Sequence, residues 1–73
     1  KNTAMTTSVI GRICSSCGCT PEEAKEYLDG EIRNLLDYRD ADDLRAEDFA
    51  QACDSLGLEH DFIPYFIERI SMC

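Results

Sequence analysis

Thr20–Asp37, TPEEAKEYLDGEIRNLLD, is the stretch from which the architecture follows. Thr20-Pro21-Glu22-Glu23 is a capping box with proline at the first helical position. The threonine oxygen can accept the N–H three residues on, and the glutamate can reach back to the threonine N–H. Proline gives up only an N–H that would be unpaired there anyway. Two glutamates in the first turn also suit the positive end of a helix dipole. Beyond the cap, Ala24, Tyr27, Leu28, Ile32, Leu35 and Leu36 recur at three- and four-residue spacing, which predicts an amphipathic helix over about Pro21–Asp37. Gly30 lies off that stripe and costs about 1 kcal/mol relative to alanine.

Three further helices flank this one. The first is expected over Thr6–Ser16, with Val9, Ile10, Ile13 and Cys17 on one face, Thr6, Thr7 or Ser8 as cap and Gly18 as stop. The third is expected over Ala46–Leu56, with Phe49, Ala52, Cys53 and Leu56 as its stripe. Gly57 can end it in the left-handed conformation, letting Leu58 fold back on Cys53. The fourth is expected over Phe62–Ser71, capped by Asp61, with Pro64 harmless in the first turn. Phe62, Ile63, Phe66, Ile67 and Ile70 supply its apolar face, and Tyr65 widens it around most of the first turns. No segment alternates as a strand would, and there is no repeat, low-complexity tract or linker. The expectation is an all-α domain of four short helices over residues 1–73.

A chain of 73 residues buries only about 60% of the surface its unfolded form exposes, so its own core is small. Such modules commonly lean on a disulfide, a metal or a partner. The net charge of −8 is unevenly spread. Residues 1–20 hold Lys1 and Arg12 and no acid, whereas all fifteen acids lie from Glu22 onward against five basic residues, a net −10 there. That surface repels nucleic-acid phosphates and anionic lipid and favours basic partners, cations or plain solubility. No apolar run approaches the roughly 18 residues a membrane helix needs. The chain opens on Lys1, as a processed or trimmed product would.

Between the second and third helices lies Asp37–Asp48, DYRDADDLRAED, with six carboxylates in twelve residues. Over Ile32 to Gly57 the chain resembles the EF-hand family. Ile32, Leu35 and Leu36 match the end of an entering helix, Asp37 the first loop position, Leu44 the eighth, Asp48 the twelfth, and Phe49 the start of the leaving helix. That resemblance implies a helix pair able to grip a partner helix, with Asp37 and Asp48 as candidate calcium ligands. Arg39 stands at the third loop position, Ala41 at the fifth and Asp42 at the sixth, where calcium requires two oxygens and a glycine. The expectation is a degenerate EF-hand that binds no calcium. Leu44-Arg45-Ala46-Glu47-Asp48-Phe49 through Leu56-Gly57-Leu58-Glu59, followed by Pro64, is also similar to the last two helices of histone-fold subunits of the NF-Y and NC2 kind. That resemblance implies an obligate heterodimer.

Cys14, Cys17 and Cys19 form a CxxCxC cluster, with Cys53 and Cys73 apart from it. Three readings stay open. With Cys53, Cys73 or His60 as a fourth ligand, the cluster could hold tetrahedral zinc. In an oxidising compartment, five cysteines could pair and leave Cys73 for an intermolecular bond. As reduced thiols, Cys14 and Cys53 would pack as small hydrophobes. His60, between Glu59 and Asp61, reads as an exposed connector residue whose carboxylate neighbours favour its charged form. No nucleophile motif, zinc-protease motif or phosphate-cradling glycine loop is present, so no enzyme and no cofactor is expected.

These residues together suggest a small acidic subunit or adaptor without catalysis. It would dock through the apolar faces of helices two and four, with Phe62, Ile63, Phe66 and Ile67 as the candidate partner-binding residues. The expected partner is a protein, either a basic amphipathic helix or a larger complex, with no direct role for nucleic acid or membrane. An intracellular setting is favoured over a secreted one. The alternatives are the histone-fold subunit and a secreted, disulfide-linked helical signalling or carrier protein.

Overall fold

The capping box forms as its residue types require. In the computed structural model, which describes the backbone of residues 2–72 and side chains from Ser8 to Met72, Glu23 N–H donates to Thr20 Oγ1 at 3.2 Å. In return, Thr20 N–H donates to Glu23 Oε1 at 3.0 Å. From this cap runs α2, Pro21–Asp40. The other helices are α1, Asn2–Cys17, α3, Ala46–Leu56, and α4, Ile63–Ser71, the last preceded by a single 3-10 turn over His60–Phe62. The chain is an all-α, four-helix domain with no strand among the described residues.

The apolar stripes converge on one core. Val9 and Ile13 from α1, Ala24, Leu28, Ile32 and Leu35 from α2, Ala52, Cys53 and Leu56 from α3, Leu58 from the connector, and Tyr65, Phe66 and Ile70 from α4 are all buried. α2 packs against each of the other three helices, which is why its stripe is the longest. Among the described residues no charged or polar residue is buried and no buried side-chain polar atom lacks a partner. The interior therefore carries little desolvation cost. Tyr65 and Phe66 meet edge to face, with centroids 5.3 Å apart.

Four local expectations are corrected. α1 begins at Asn2, so Thr6, Thr7 and Ser8 lie within the helix and none caps it. On its inner face Cys14 is half-buried while Cys17 is exposed, reversing the predicted stripe at that end. α2 continues three residues past Asp37, because Asp42 takes the left-handed conformation, φ +58°, normally left to glycine. With Asp42 so placed, its N–H donates to the Arg39 carbonyl and the Asp43 N–H to the Tyr38 carbonyl, at 3.0 and 2.8 Å, a complete Schellman cap. Asp61 caps nothing, since it lies inside the 3-10 turn that leads into α4. The stop at Gly57-Leu58 forms as expected: Gly57 sits at φ +69°, its N–H donates to the Asp54 carbonyl, and the Leu58 N–H donates to the Cys53 carbonyl at 2.8 Å.

Candidate interaction surface

The twelve residues that align with an EF-hand loop are not one loop. Asp37–Asp40 form the last turn of α2, Ala41–Arg45 make the connector, and Asp48 belongs to the first turn of α3. Asp48 Oδ2 accepts the Arg45 N–H at 2.8 Å, so this carboxylate serves as a helix cap. Asp37 is exposed on α2, and its carbonyl accepts the Ala41 N–H. Arg39 reaches away from the connector: Nη1 donates to the Ile70 carbonyl at the end of α4 at 2.9 Å, and Nη2 meets Asp40 at 3.2 Å. Asp43 pairs with Arg45 at 3.5 Å on the surface. Asp48 thus caps α3, Asp43 pairs with Arg45, and Arg39 fastens α4.

The three clustered thiols sit where α1 gives way to α2. Cys14 and Cys19 are half-buried, and the exposed Cys17 directs its thiol toward the Leu56 carbonyl, 3.7 Å away. Burial, the Cys14 and Cys17 thiols and Glu23 push the Cys19 thiol up, while burial and then Asp54 push up Cys53. Among the described residues no group of three or more His, Cys, Asp or Glu side chains is disposed to hold a metal ion. Cys73, the candidate for an intermolecular bond, lies outside the described residues. His60 is exposed, as its connector position suggests, but its neighbour is Asp54 of α3, with Nε2 and Oδ1 3.0 Å apart.

The candidate docking residues divide. Phe66 is fully buried and belongs to the core, so it offers a partner no surface. Phe62 and Ile63 are half-buried against the core, and Ile67 is 47% exposed. The inner face of α4 is Tyr65, Phe66 and Ile70, with Ile63 packed against the same core, while Ile67 stands exposed. Arg69 lies over the Tyr65 ring, 5.7 Å from its centroid, and donates to the Tyr65 hydroxyl oxygen, which gives the polar tip of that buried ring a partner. The apolar face of α2 is likewise consumed by the core and cannot also dock a partner.

What α2 does expose is Tyr27, at 49%, and Tyr38, at 43%. Tyr27 has the spacing of the buried stripe but stands outside the core, and Tyr38 carries no signal in that stripe. They are eleven residues apart, roughly three helical turns, and so share the outer face. Near Tyr27 that face opens into a hollow of about 420 Å³, lined by Tyr27, Gly30, Glu31 and Asn34 with Ser55 and Leu56 of α3. Partial burial there pushes the Glu31 carboxyl above the usual range. Tyr38 adjoins Arg39, whose grip on Ile70 brings the C-terminal ends of α2 and α4 together. Exposed Tyr38 lies with Asp37 and Asp40 in the last turn of α2, exposed Met72 follows the last turn of α4, which holds Glu68, and exposed Ile67 stands at the middle of α4.

Among the described residues no helix is long and apolar enough to cross a membrane. No family model matches the chain, and no curated protein or solved structure is significantly similar to it.

Proposed function

We propose that this chain is a non-catalytic protein-interaction module, a subunit or adaptor that binds a basic amphipathic helix. One observation carries the reading. Among the described residues the core takes up thirteen apolar side chains, yet Tyr38, Ile67 and Met72 remain exposed on or just past α2 and α4, whose C-terminal ends Arg39 joins. Apolar side chains ringed by acids suit a helix with one apolar and one basic face. Asp37, Asp40 and Glu68 would steer and orient that partner, and the apolar side chains would supply most of the affinity. Of the docking set read in α4, Ile67 stands exposed, Phe62 and Ile63 are half-buried, and Phe66 belongs to the core. The EF-hand-like variant of this reading, two helices gripping a third without calcium, uses the same pair α2 and α3 with Arg39 fastening α4 in place of a ligand oxygen.

A designed Lys/Leu amphipathic helix, titrated into the labelled chain, tests it. The expected result is saturable amide shifts centred on Tyr38, Ile63, Ile67 and Met72, weakened by salt and abolished by Ile67→Glu with the melting temperature kept. An absence of saturable shifts, or shifts spread evenly over every acidic residue, would overturn the reading.

A further inference from the structure

Gly30 leaves a gap in one face of α2. Tyr27, Gly30, Glu31 and Asn34 recur at three- and four-residue spacing and so share that face. The backbone of Gly30 is not left-handed, and a Cβ added there would meet nothing within 4 Å. Neither strain nor close approach therefore calls for glycine, and what its missing side chain leaves is open space. That space belongs to the hollow of about 420 Å³ whose opposite wall is Ser55 and Leu56 of α3. Glu26 and Arg33 also border it. A hollow of this size accommodates a small ligand or a long side chain.

Two carboxylates and an aromatic ring decide which chemistry fits. Among the described residues the ion pairs are Arg12–Glu59, Arg39–Asp40, Arg45–Asp43 and His60–Asp54, so neither Glu26 nor Glu31 has a cation beside it. Partial burial pushes the Glu31 carboxyl above the usual range, as for a group that has lost water and gained no opposite charge. Tyr27, half exposed, supplies a ring whose face attracts a cation. The Asn34 side chain can add a carbonyl acceptor. The one basic residue at the border, Arg33, is outnumbered by the two carboxylates. Two carboxylates fall short of the six to eight oxygens that calcium takes, whereas an organic cation needs only one or two and gains from the ring.

We propose that the hollow between α2 and α3 is a pocket for an arginine side chain of a partner protein, with Glu31 and Glu26 as its anionic partners, Tyr27 as its aromatic wall and Gly30 as its open floor. A guanidinium fits this set better than an ammonium. It is planar, pairs with a carboxylate through two parallel N–H groups, stacks on an aromatic face and gives up its water more readily. Fifteen acids against seven basic residues draw a basic segment toward the chain. The pocket lies about two turns of α2 before Tyr38, so it is independent of the surface proposed for a partner helix.

The test titrates the isotope-labelled full chain, at moderate salt, with the capped peptide acetyl-Gly-Arg-Gly-amide. Lysine and citrulline versions of the peptide form two further arms, citrulline being the neutral isostere of arginine. The arginine peptide should give saturable amide shifts centred on Tyr27, Gly30, Glu31 and Ser55. The lysine peptide should bind more weakly, and the citrulline peptide at least about tenfold more weakly, since the charge-assisted hydrogen bonds are lost. Glu31→Gln should weaken arginine binding at least about fivefold, whereas Glu68→Gln, which removes the same charge from α4, should change it less than about twofold because salt screens distant charges. Gly30→Leu fills the hollow and should abolish binding while circular dichroism reports an intact helical fold. If Gly30→Leu does not fold, the contrast between Glu31→Gln and Glu68→Gln decides. Shifts that do not saturate, lysine or citrulline binding as tight as arginine, equal losses from the two glutamate changes, or undiminished binding by folded Gly30→Leu would overturn the proposal.

Discussion

Ser16 and Gly57 fasten the end of α1 to the end of α3: the Ser16 hydroxyl donates to the Gly57 carbonyl at 2.7 Å. A Cβ added at Gly57 would stand 2.6 Å from the Ser16 Cβ, and Gly57 already has φ +69°. Two independent penalties therefore meet at one position, backbone strain and overlap. Gly57→Ala is expected to cost at least about 2 kcal/mol. Adding Ser16→Gly should recover the steric share and leave the backbone share. Urea unfolding of the two single variants and the double variant measures both, and equal stability of Gly57→Ala and its parent would refute the contact.

Phe66 and Ile67 are adjacent in sequence and opposite in environment, at 0% and 47% exposure. Phe66→Ala should cost about 3–5 kcal/mol, a large fraction of the stability of a domain this size. Ile67→Ala should stay within about 0.5 kcal/mol of the parent. Thermal melts of the two proteins separate the core face of α4 from its outer face; similar losses from both changes would mean that α4 packs in another rotation.

Gly30 and Asp42 each occupy a position that suits a different residue. Gly30 lies mid-helix, with nothing within 4 Å of an added Cβ, so Gly30→Ala should stabilise by about 1 kcal/mol. Asp42 lies at the left-handed cap position of α2, where glycine avoids the strain, so Asp42→Gly should stabilise by up to about 1 kcal/mol. For a chain of this length each kcal/mol moves the melting temperature by about 4–8 °C, well within the reach of calorimetry. A lower melting temperature for Asp42→Gly would argue against the left-handed cap.

Arg39 joins the ends of α2 and α4 through the Ile70 carbonyl at 2.9 Å. Arg39→Met keeps much of the side-chain bulk and loses a hydrogen bond from a charged donor, which should cost about 1.5–3 kcal/mol at most and less where solvent competes. Amide exchange should quicken first in the last turn of α4. Asp40→Asn removes only an exposed ion pair and should change stability by less than about 1 kcal/mol. Uniform quickening across all four helices in Arg39→Met would show that the contact is not local.

Glu31 makes stability depend on pH in an identifiable direction. Its carboxyl is raised by partial burial beside the α2–α3 hollow. Between the unfolded and folded values the folded chain holds more protons, so this residue's contribution to stability falls as pH rises through that window and then levels. Glu31→Gln has no such loss. Its stability relative to the parent should rise from the ordinary carboxylate range through the raised one and flatten above it. Urea midpoints measured across mildly acidic to neutral pH give the difference, and a flat difference would place Glu31 in full solvent.

Elements whose cause is local were legible in the residues. Thr20–Glu23 starts α2 because a threonine oxygen and a glutamate carboxylate lie within reach of the same N–H groups in any chain that turns there. Gly18 and Gly57 end α1 and α3 because they enter the left-handed region without a steric cost. The all-α class followed from four apolar stripes of helical period, and all four are present. Features that depend on what a side chain meets were not legible. Asp42 adopts a conformation its residue type disfavours, and α2 gains its last turn from a cap that bonds back to Arg39 and Tyr38. Phe66 and Ile67 are equally apolar, and their stripe alone does not distinguish them; packing of Tyr65, Phe66 and Ile70 against the other helices sets the rotation of α4 and leaves Ile67 outside. Tyr27 fits the spacing of the α2 stripe yet stands exposed, while Leu28 and Ile32 are buried. Helix formation is driven by hydrogen bonds and spacing within a few residues, whereas burial is a competition among all the apolar groups for one small interior.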